Sequence, residues 1–335
     1  AALTLNNGPT WGKFRQSPVP EIMYNIRSGS QSAYPENFIE YNSKIYFKAD
    51  GGSKGSEMWV FDPANDASST NPTRISDIRS GSGSGVSWTD HWLVWNNKLY
   101  FVGNDGTYGD ELYSYDGSSF TRITDIYSGS TNNYPNSSSP NYLTVYNDKL
   151  YFSAYNSDYG TELYVYDGTS VSLVKDYASG SQSGFGWGGM AVYNSKLYYQ
   201  GYSSDTGYEL YSYDGTDISL VKDISSGTSG KIQGSINNSN IDINARAAAG
   251  ATNRPLDDMH HSRSNASLSS SLSNSINTGT NTSGSSSSVN SSFPREFTVY
   301  NDKLFFSAQD NTIGGELFYY DGTDVTGIDI YTGST

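Results

Sequence analysis

An all-β fold of the β-propeller kind, built from five four-stranded blades, is what this sequence predicts, and three observations carry the prediction. First, one strand pair recurs five times, as "SKIYF…SEMWVFDP", "NKLYF…DELYSYDG", "DKLYF…TELYVYDG", "SKLYY…YELYSYDG" and "DKLFF…GELFYYDG". In each copy a Lys (Lys44, Lys98, Lys149, Lys196, Lys303) precedes a Glu (Glu57, Glu111, Glu162, Glu209, Glu316) by 13 residues, and an Asp (Asp62, Asp116, Asp167, Asp214, Asp321) follows that Glu by five. Second, each copy reads as four short strands. Third, Gly, Ser and Asn punctuate every segment, so no apolar stripe persists at helical spacing.

The copies are offset by 54, 51, 47 and 107 residues. A fixed internal spacing with a variable period marks a rigid unit whose variation lies in loops and one insertion. Within a unit, a strand such as "LTVYN" alternates and stops at an Asn-Asp or Asn-Ser turn, and "KLYFSA" follows. A Gly-containing loop leads to "ELYVYDG", and an Asp-Gly turn leads to "SLVKDI". Four strands in about fifty residues make a propeller blade. Tyr, at 29 residues, far outnumbers the other aromatics, and it suits half-buried strands because the ring is buried while the hydroxyl finds a polar partner.

The repeated residues have an economical structural explanation. A Lys and a Glu facing each other across one hairpin would form a cross-strand pair worth about 0.2–1 kcal/mol, and Asp-Gly supplies the positive φ of the turn. The first copy has Asp62-Pro63 instead, so its turn should differ. The sharper alternative gathers the five Glu around a central channel as a cation site.

"ELYVYDGTSVSLVKDYASGSQS" followed by "YNSKLYYQG" resembles the bacterial extracellular repeat family whose consensus runs Glu-Leu-Trp, two variable residues, Asp-Gly-Thr, a Val-Lys-Asp-Ile strand and a Gly-Ser loop. The resemblance covers about residues 21–230 and 293–335, with Tyr or Phe in place of the Trp in all but "EMW". It implies a β-propeller-like secreted or surface protein, with no single activity common to the family.

Two features depart from the repeat. The fourth-strand motif occurs six times, as "NIRSGS", "DIRSGS", "DIYSGS", "DYASGS", "DISSGT" and "DIYTGS", so the copy at Asn25 or the one at Asp329 has no blade of its own. The spare strand would close the propeller or add to a neighbour's edge. The other departure is an insertion at residues 231–292 of a propeller spanning 21–335, rich in Ser, Asn, Thr and Gly. By composition it buries too little apolar surface to offset its ordering entropy, and a degenerate sixth blade is the alternative. Asn-X-Ser/Thr glycosylation triplets stand at Asn136, Asn237, Asn265, Asn281 and Asn290. Residues 1–20 form an extended arm whose prolines keep it out of a central strand, with Leu3, Leu5 and Trp11 as its apolar contacts.

Composition narrows the function classes. A formal charge of −14 disfavours nucleic acid and anionic membranes as partners, and no apolar run reaches the length of a membrane span. Without Cys there is no disulfide framework and no thiol nucleophile. "AALTL" at the start fits the mature side of a signal cleavage site, which points outside the cell. The three His are His91 and the adjacent His260 and His261, and neighbouring residues on a strand cannot both face one metal. "NDGTYGDE" has the oxygen-rich look of a calcium loop, but its counterparts keep the Gly and not the ligands. No phosphate-cradling loop or nucleophile elbow is present.

The resulting expectation is a secreted, non-enzymatic structural propeller without cofactors, calcium being the one exception the pattern admits. Its partner is itself, in a filament or surface homopolymer joined by a terminal strand or the arm, with attached or bound glycans as further partners. A carbohydrate-binding propeller is the alternative, and a polysaccharide-acting propeller enzyme is a more distant one.

Overall fold

The computed structural model describes residues 24–27, 30–65, 72–87, 92–226 and 290–330. The fold is all-β, of the β-propeller class, with five four-stranded antiparallel sheets among the described residues. The first contains β1 (Glu36–Tyr41), β2 (Lys44–Asp50), β3 (Ser56–Phe61) and β4 (Thr73–Arg74), and the second β5 (Leu93–Trp95), β6 (Lys98–Asn104), β7 (Asp110–Tyr115) and β8 (Phe120–Arg122). A small hairpin of β9 (Ser130–Thr131) and β10 (Tyr134–Pro135) precedes the third sheet, β11 (Asn141–Tyr146), β12 (Lys149–Asn156), β13 (Gly160–Tyr166) and β14 (Val171–Lys175). The fourth is β15 (Phe185–Tyr193), β16 (Lys196–Ser203), β17 (Gly207–Tyr213) and β18 (Ile218–Lys222). The fifth is β19 (Arg295–Tyr300), β20 (Lys303–Asp310), β21 (Gly314–Tyr320) and β22 (Val325–Ile328). In each sheet the strands lie side by side in chain order. The chain divides into two compact units, Ala1–Leu143 and Thr144–Thr335.

Turn chemistry fixes these sheets. The turn between first and second strands has two consecutive residues at positive φ in every sheet: Asn42 and Ser43, Asn96 and Asn97, Asn147 and Asp148, Asn194 and Ser195, Asn301 and Asp302. That is the tight hairpin turn whose twist matches the flanking strands, and Asn and Asp tolerate it best among residues with a side chain. The Asp-Gly turns place Gly117, Gly168, Gly215 and Gly322 at φ of 95–101°. In the first sheet, where Pro63 replaces the Gly, the chain takes a single 3-10 turn, Pro63–Asn65, capped by the Asp62 carboxylate. The second and third strands of the interior sheets are buried on both faces, which is why "LYFVG" and "ELYSY" read as continuous runs.

The tyrosines form a repeated packing unit. Tyr41, Tyr46 and Tyr115 meet with ring centroids 5.5–6.4 Å apart. The same triangle recurs at Tyr146, Tyr151 and Tyr213, and at Tyr193, Tyr198 and Tyr320. Two rings come from the first and second strands of one sheet and the third from a neighbouring sheet. Burial, reinforced by the neighbouring phenols, pushes the Tyr46 hydroxyl up to about 12.

Three expectations need revision. Lys and Glu do lie on adjacent antiparallel strands, but they do not face each other. Register puts Glu57 opposite Ala49, Glu111 opposite Gly103 and Glu162 opposite Ala154. Continued by one step, the same register sets each Lys against the Asp that follows the Glu, and Lys44 Nζ lies 3.1 Å from the Asp62 carboxylate. Asp116, Asp167, Asp214 and Asp321 are held below the usual carboxylate range chiefly by the hydrogen bonds of their own turns, with Lys98, Lys149, Lys196 and Lys303 adding a smaller pull. The second revision concerns the spare strand: Val325–Ile328 pairs with β21 in its own sheet, so the surplus is the segment at Asn25, where Tyr24–Arg27 belong to no sheet. The third concerns the insertion. Its final residues, Asn290–Ser292, belong to the repeat, as shown below, and residues 231–289 lie outside the described part.

Candidate functional site

The five Glu mark the most regular constellation in the molecule, a joint at which one sheet is locked by the segment leading into the next. Glu57, Glu111, Glu162 and Glu209 are 0–1% exposed. Each stands second or third in the third strand of its sheet, two residues after a Gly in the left-handed region, Gly55, Gly109, Gly160 or Gly207. Their carboxylates receive N–H donors from two directions. One is the backbone after the fourth strand of the same sheet, where Ile78 and Ile224 N–H donate at 3.4 and 2.9 Å to Glu57 and Glu209. The other is the linker to the following sheet: Gly85, Ser138, Gly184 and Ser292 N–H donate at 2.6–3.1 Å to the four carboxylates in turn.

The residue before each of those donors is a Ser. The hydroxyls of Ser84, Ser137, Ser183 and Ser291 accept the N–H of the residue preceding each Glu, at 2.9–3.1 Å. The left-handed Gly is required by close approach. A Cβ at Gly109 would stand 2.0 Å from the Asn136 carbonyl oxygen, and one at Gly207 2.5 Å from that of Asn290. A second device repeats at the turns, where Tyr41, Tyr146 and Tyr193 hydroxyls donate to the carbonyls of Asn97, Ser195 and Asp302 in a neighbouring sheet, at 2.6–2.8 Å.

Hydroxyl donors differ among the joints. Glu57 accepts from Ser76, Glu111 from Thr124 and Ser138, and Glu209 from Ser292. Glu162 receives backbone N–H donors alone, from Gly184, Tyr177 and Ala178. Burial pushes all four carboxyls up and the donors pull them back. Glu162, with no hydroxyl and with Asp176 nearby, is raised to about 8, and Glu209 to about 7.

This surrounding of donors argues against the cation ring. A cation needs converging oxygens with free lone pairs, whereas these carboxylates face N–H and O–H groups, and no metal-holding cluster of acidic or His side chains occurs among the described residues.

The fifth joint is different. Glu316 is only half-buried, and among the described residues it accepts one hydrogen bond, from Ile330 N–H at 3.1 Å. Nothing described lies within 4 Å of a Cβ built on Gly314 or Gly315. Tyr300, the counterpart of Tyr41, Tyr146 and Tyr193, is 64% exposed where they are 3–4% exposed.

Two glycosylation triplets fall in the described part, and both belong to this machinery. Asn136-Ser137-Ser138 and Asn290-Ser291-Ser292 are linker segments whose Ser residues cap Glu111 and Glu209. The Asn136 side chain itself bridges Ser128 and Thr131. Asn237, Asn265, Asn281, His91, His260, His261 and the arm residues Leu3, Leu5 and Trp11 lie outside the described residues. The five repeated Glu were legible in sequence. The capping Ser residues were missed, although each sits just before a first strand in a Gly/Ser-rich loop.

No family model and no curated protein sequence matches the chain. Solved structures do. The β-propeller domain of the trilobed protease from Pyrococcus furiosus aligns at 12% identity over 90% of this chain and 70% of that one, with a TM-score of 0.44. A puromycin-hydrolyzing peptidase from Mycobacterium tuberculosis aligns at 9% identity over 93% of this chain, with a TM-score of 0.47; the chain spans 39% of that peptidase. An α-L-arabinofuranosidase from Clostridium thermocellum aligns at 14% identity over 90% of this chain and 96% of that one, with a TM-score of 0.31. These likenesses extend to the fold. They also correct the expectation of a non-enzymatic chain: the structures that resemble it belong to a protease, a peptidase and a glycoside hydrolase. Among the described residues no helix is long and apolar enough to cross a membrane.

Proposed function

We propose that this chain is a propeller-type building block of an extracellular homopolymer, with the face of its fifth sheet that no described segment covers as one contact surface. The observation that carries the reading is the fifth joint. Four sheets bury the same Glu under a following segment, and the fifth presents Glu316, the open space beside Gly314, and Tyr300. A contact between this face and a different surface of a second copy is heterologous, and repetition gives a ring or an open fibre. Tyr300→Glu tests the reading, because the side chain is exposed and the change leaves the buried core intact. The wild type should gain mass with concentration in light scattering and the variant should not. A wild type that stays monomeric throughout, or a variant that assembles equally, would remove the reading.

A second reading has its own observation. Trp187 on β15 is 76% exposed, and an exposed indole is a stacking platform for a sugar ring. Glycan-array binding that disappears in Trp187→Ala would support it, and an array without signal would end it.

A further inference from the structure

The first sheet carries counterparts of the groups that the fifth joint lacks among the described residues, with Phe61 packed against Tyr24 of the upstream segment that belongs to no sheet, ring centroids 5.4 Å apart. Upstream of β1 the chain reads Gln31-Ser32-Ala33, in register with the linkers Gly83-Ser84-Gly85, Asn136-Ser137-Ser138, Gln182-Ser183-Gly184 and Asn290-Ser291-Ser292. The register is structural as well as sequential. Asp50 N–H donates to the Ala33 carbonyl at 2.7 Å, as Asn104 does to Gly85, Tyr202 to Gly184 and Gln309 to Ser292 at 2.7–2.9 Å. Arg27 stands beside Gly52 as Arg79 stands beside Gly106. Yet Ser32 is exposed and Ala33 half-buried, where Gly85, Ser138, Gly184 and Ser292 are buried.

The complement extends to the turn. Ser43 occupies the position of Asn97, Ser195 and Asp302, whose carbonyls accept the tyrosine hydroxyls of neighbouring sheets. Phe61 occupies that of Tyr115, Tyr213 and Tyr320, the third ring of each aromatic triangle. In the fifth sheet the waiting partners are Glu316 and Gly315 N–H for the linker, and Tyr300 for the turn and the ring.

We infer that the first sheet of a second copy docks on the fifth sheet of this one and completes the joint in trans. Ala33 N–H of the incoming copy caps Glu316, its Ser32 hydroxyl accepts Gly315 N–H, and Tyr300 reaches its Ser43 carbonyl and stacks on its Phe61. The inference rests on the homopolymer reading and names the segment that fills the open face. It continues an interface already made within the chain by the internal joints. One displacement follows. Asn25-Ile26 of the incoming copy and Asp329-Ile330 of the receiving one are equivalent positions after a fourth strand, so both cannot stay; Ile330, 70% exposed, is the one that yields.

The chain has no Cys, so an introduced pair reports cleanly. Ser32→Cys with Gly315→Cys places thiols at the two sides of the inferred joint. Ser183→Cys with Thr161→Cys makes the same pair across an internal joint, where Ser183 Oγ accepts Thr161 N–H at 2.9 Å. With added oxidant, the internal pair should close within one chain, and the Ser32/Gly315 pair should give a ladder of covalent multimers on a denaturing gel. A single fast-migrating band for the second pair would mean closure within one chain and would overturn the inference. So would an absence of any crosslink. A second arm needs no crosslink: Ser32→Trp, at an exposed position, should abolish the concentration-dependent mass. If the wild type assembles but the ladder is missing and Ser32→Trp assembles normally, this joint is wrong while the homopolymer reading stands. If the wild type never assembles, the homopolymer reading has failed first.

Discussion

Glu209 and Glu316 open the third strands of consecutive sheets from nearly the same words, "YELYSYDG" and "GELFYYDG", and they end in opposite surroundings. Glu209 is fully buried, with Ser292 and Ile224 as donors, and its carboxyl is raised to about 7. Glu316 is half-buried and accepts from Ile330. Their own strands are alike, so the difference lies in what comes next along the chain. A following linker supplies a serine hydroxyl, an N–H and a roof for the fourth sheet, and no described segment does so for the fifth. Repeat proteins are stabilised largely by nearest-neighbour interfaces, and here the interface resolves to one carboxylate and three linker residues.

The largest effect should come from the glycine that allows the approach. Gly109→Ala would set a Cβ 2.0 Å from the Asn136 carbonyl oxygen at a φ of +72°. Adding a left-handed penalty to overpacking, it should cost about 4 kcal/mol in denaturant unfolding. Gly314→Ala, at +80° with open space around it, should cost about 1 kcal/mol from conformation alone. Equal costs would show that the fifth joint is closed in solution.

The glutamates come next. Glu111→Ala orphans the buried Thr124 and Ser138 hydroxyls and the Ser138 N–H, and should cost about 3 kcal/mol. Glu316→Ala removes one exposed acceptor and should cost less than about 1 kcal/mol in the monomer. Both are read from denaturation midpoints at fixed protein concentration.

The pH dependence sharpens the contrast further. Glu162 is raised from 4.5 to about 8 by burial, so the folded chain holds this proton more tightly than the unfolded chain. The stability it contributes is complete below the unfolded value and is lost as pH rises through about 8. Wild-type stability should therefore fall from about pH 4.5 to about 8, and Glu162→Gln should make that fall shallower throughout, leaving the contribution of Glu209, which ends near 7. A variant with the wild-type slope would show that Glu162 is ionised at little cost. The smallest effect belongs to the lysines. Lys98→Ala removes a charge from the edge of a solvent-exposed turn that holds itself together through Ser118 and Ser119, and should leave the unfolding midpoint unchanged.

By itself the sequence determined the sheets. Strand length, Asn-Asp and Asn-Ser turns, Asp-Gly turns and the altered Asp62-Pro63 turn are local matters of φ and alternation, settled within a few residues, and the structure has each where the pattern put it. The constant spacing of 13 between Lys and Glu was also legible, but its meaning was not. Antiparallel register pairs residues whose numbers have a constant sum, so the Lys partner is the Asp five positions beyond the Glu, and only the observed pairing fixes that sum. Tertiary structure decided the rest. The donors that bury Glu57, Glu111, Glu162 and Glu209 come from linkers 22–83 residues away, in loops of Gly, Ser, Asn and Gln whose composition is that of any turn. It likewise decided that the spare fourth-strand motif is the one at Asn25, because Val325–Ile328 had an edge of its own sheet to pair with and Tyr24–Arg27 did not. Local conformation is written residue by residue, whereas capping a buried carboxylate depends on which distant backbone N–H the folded chain brings within hydrogen-bonding distance.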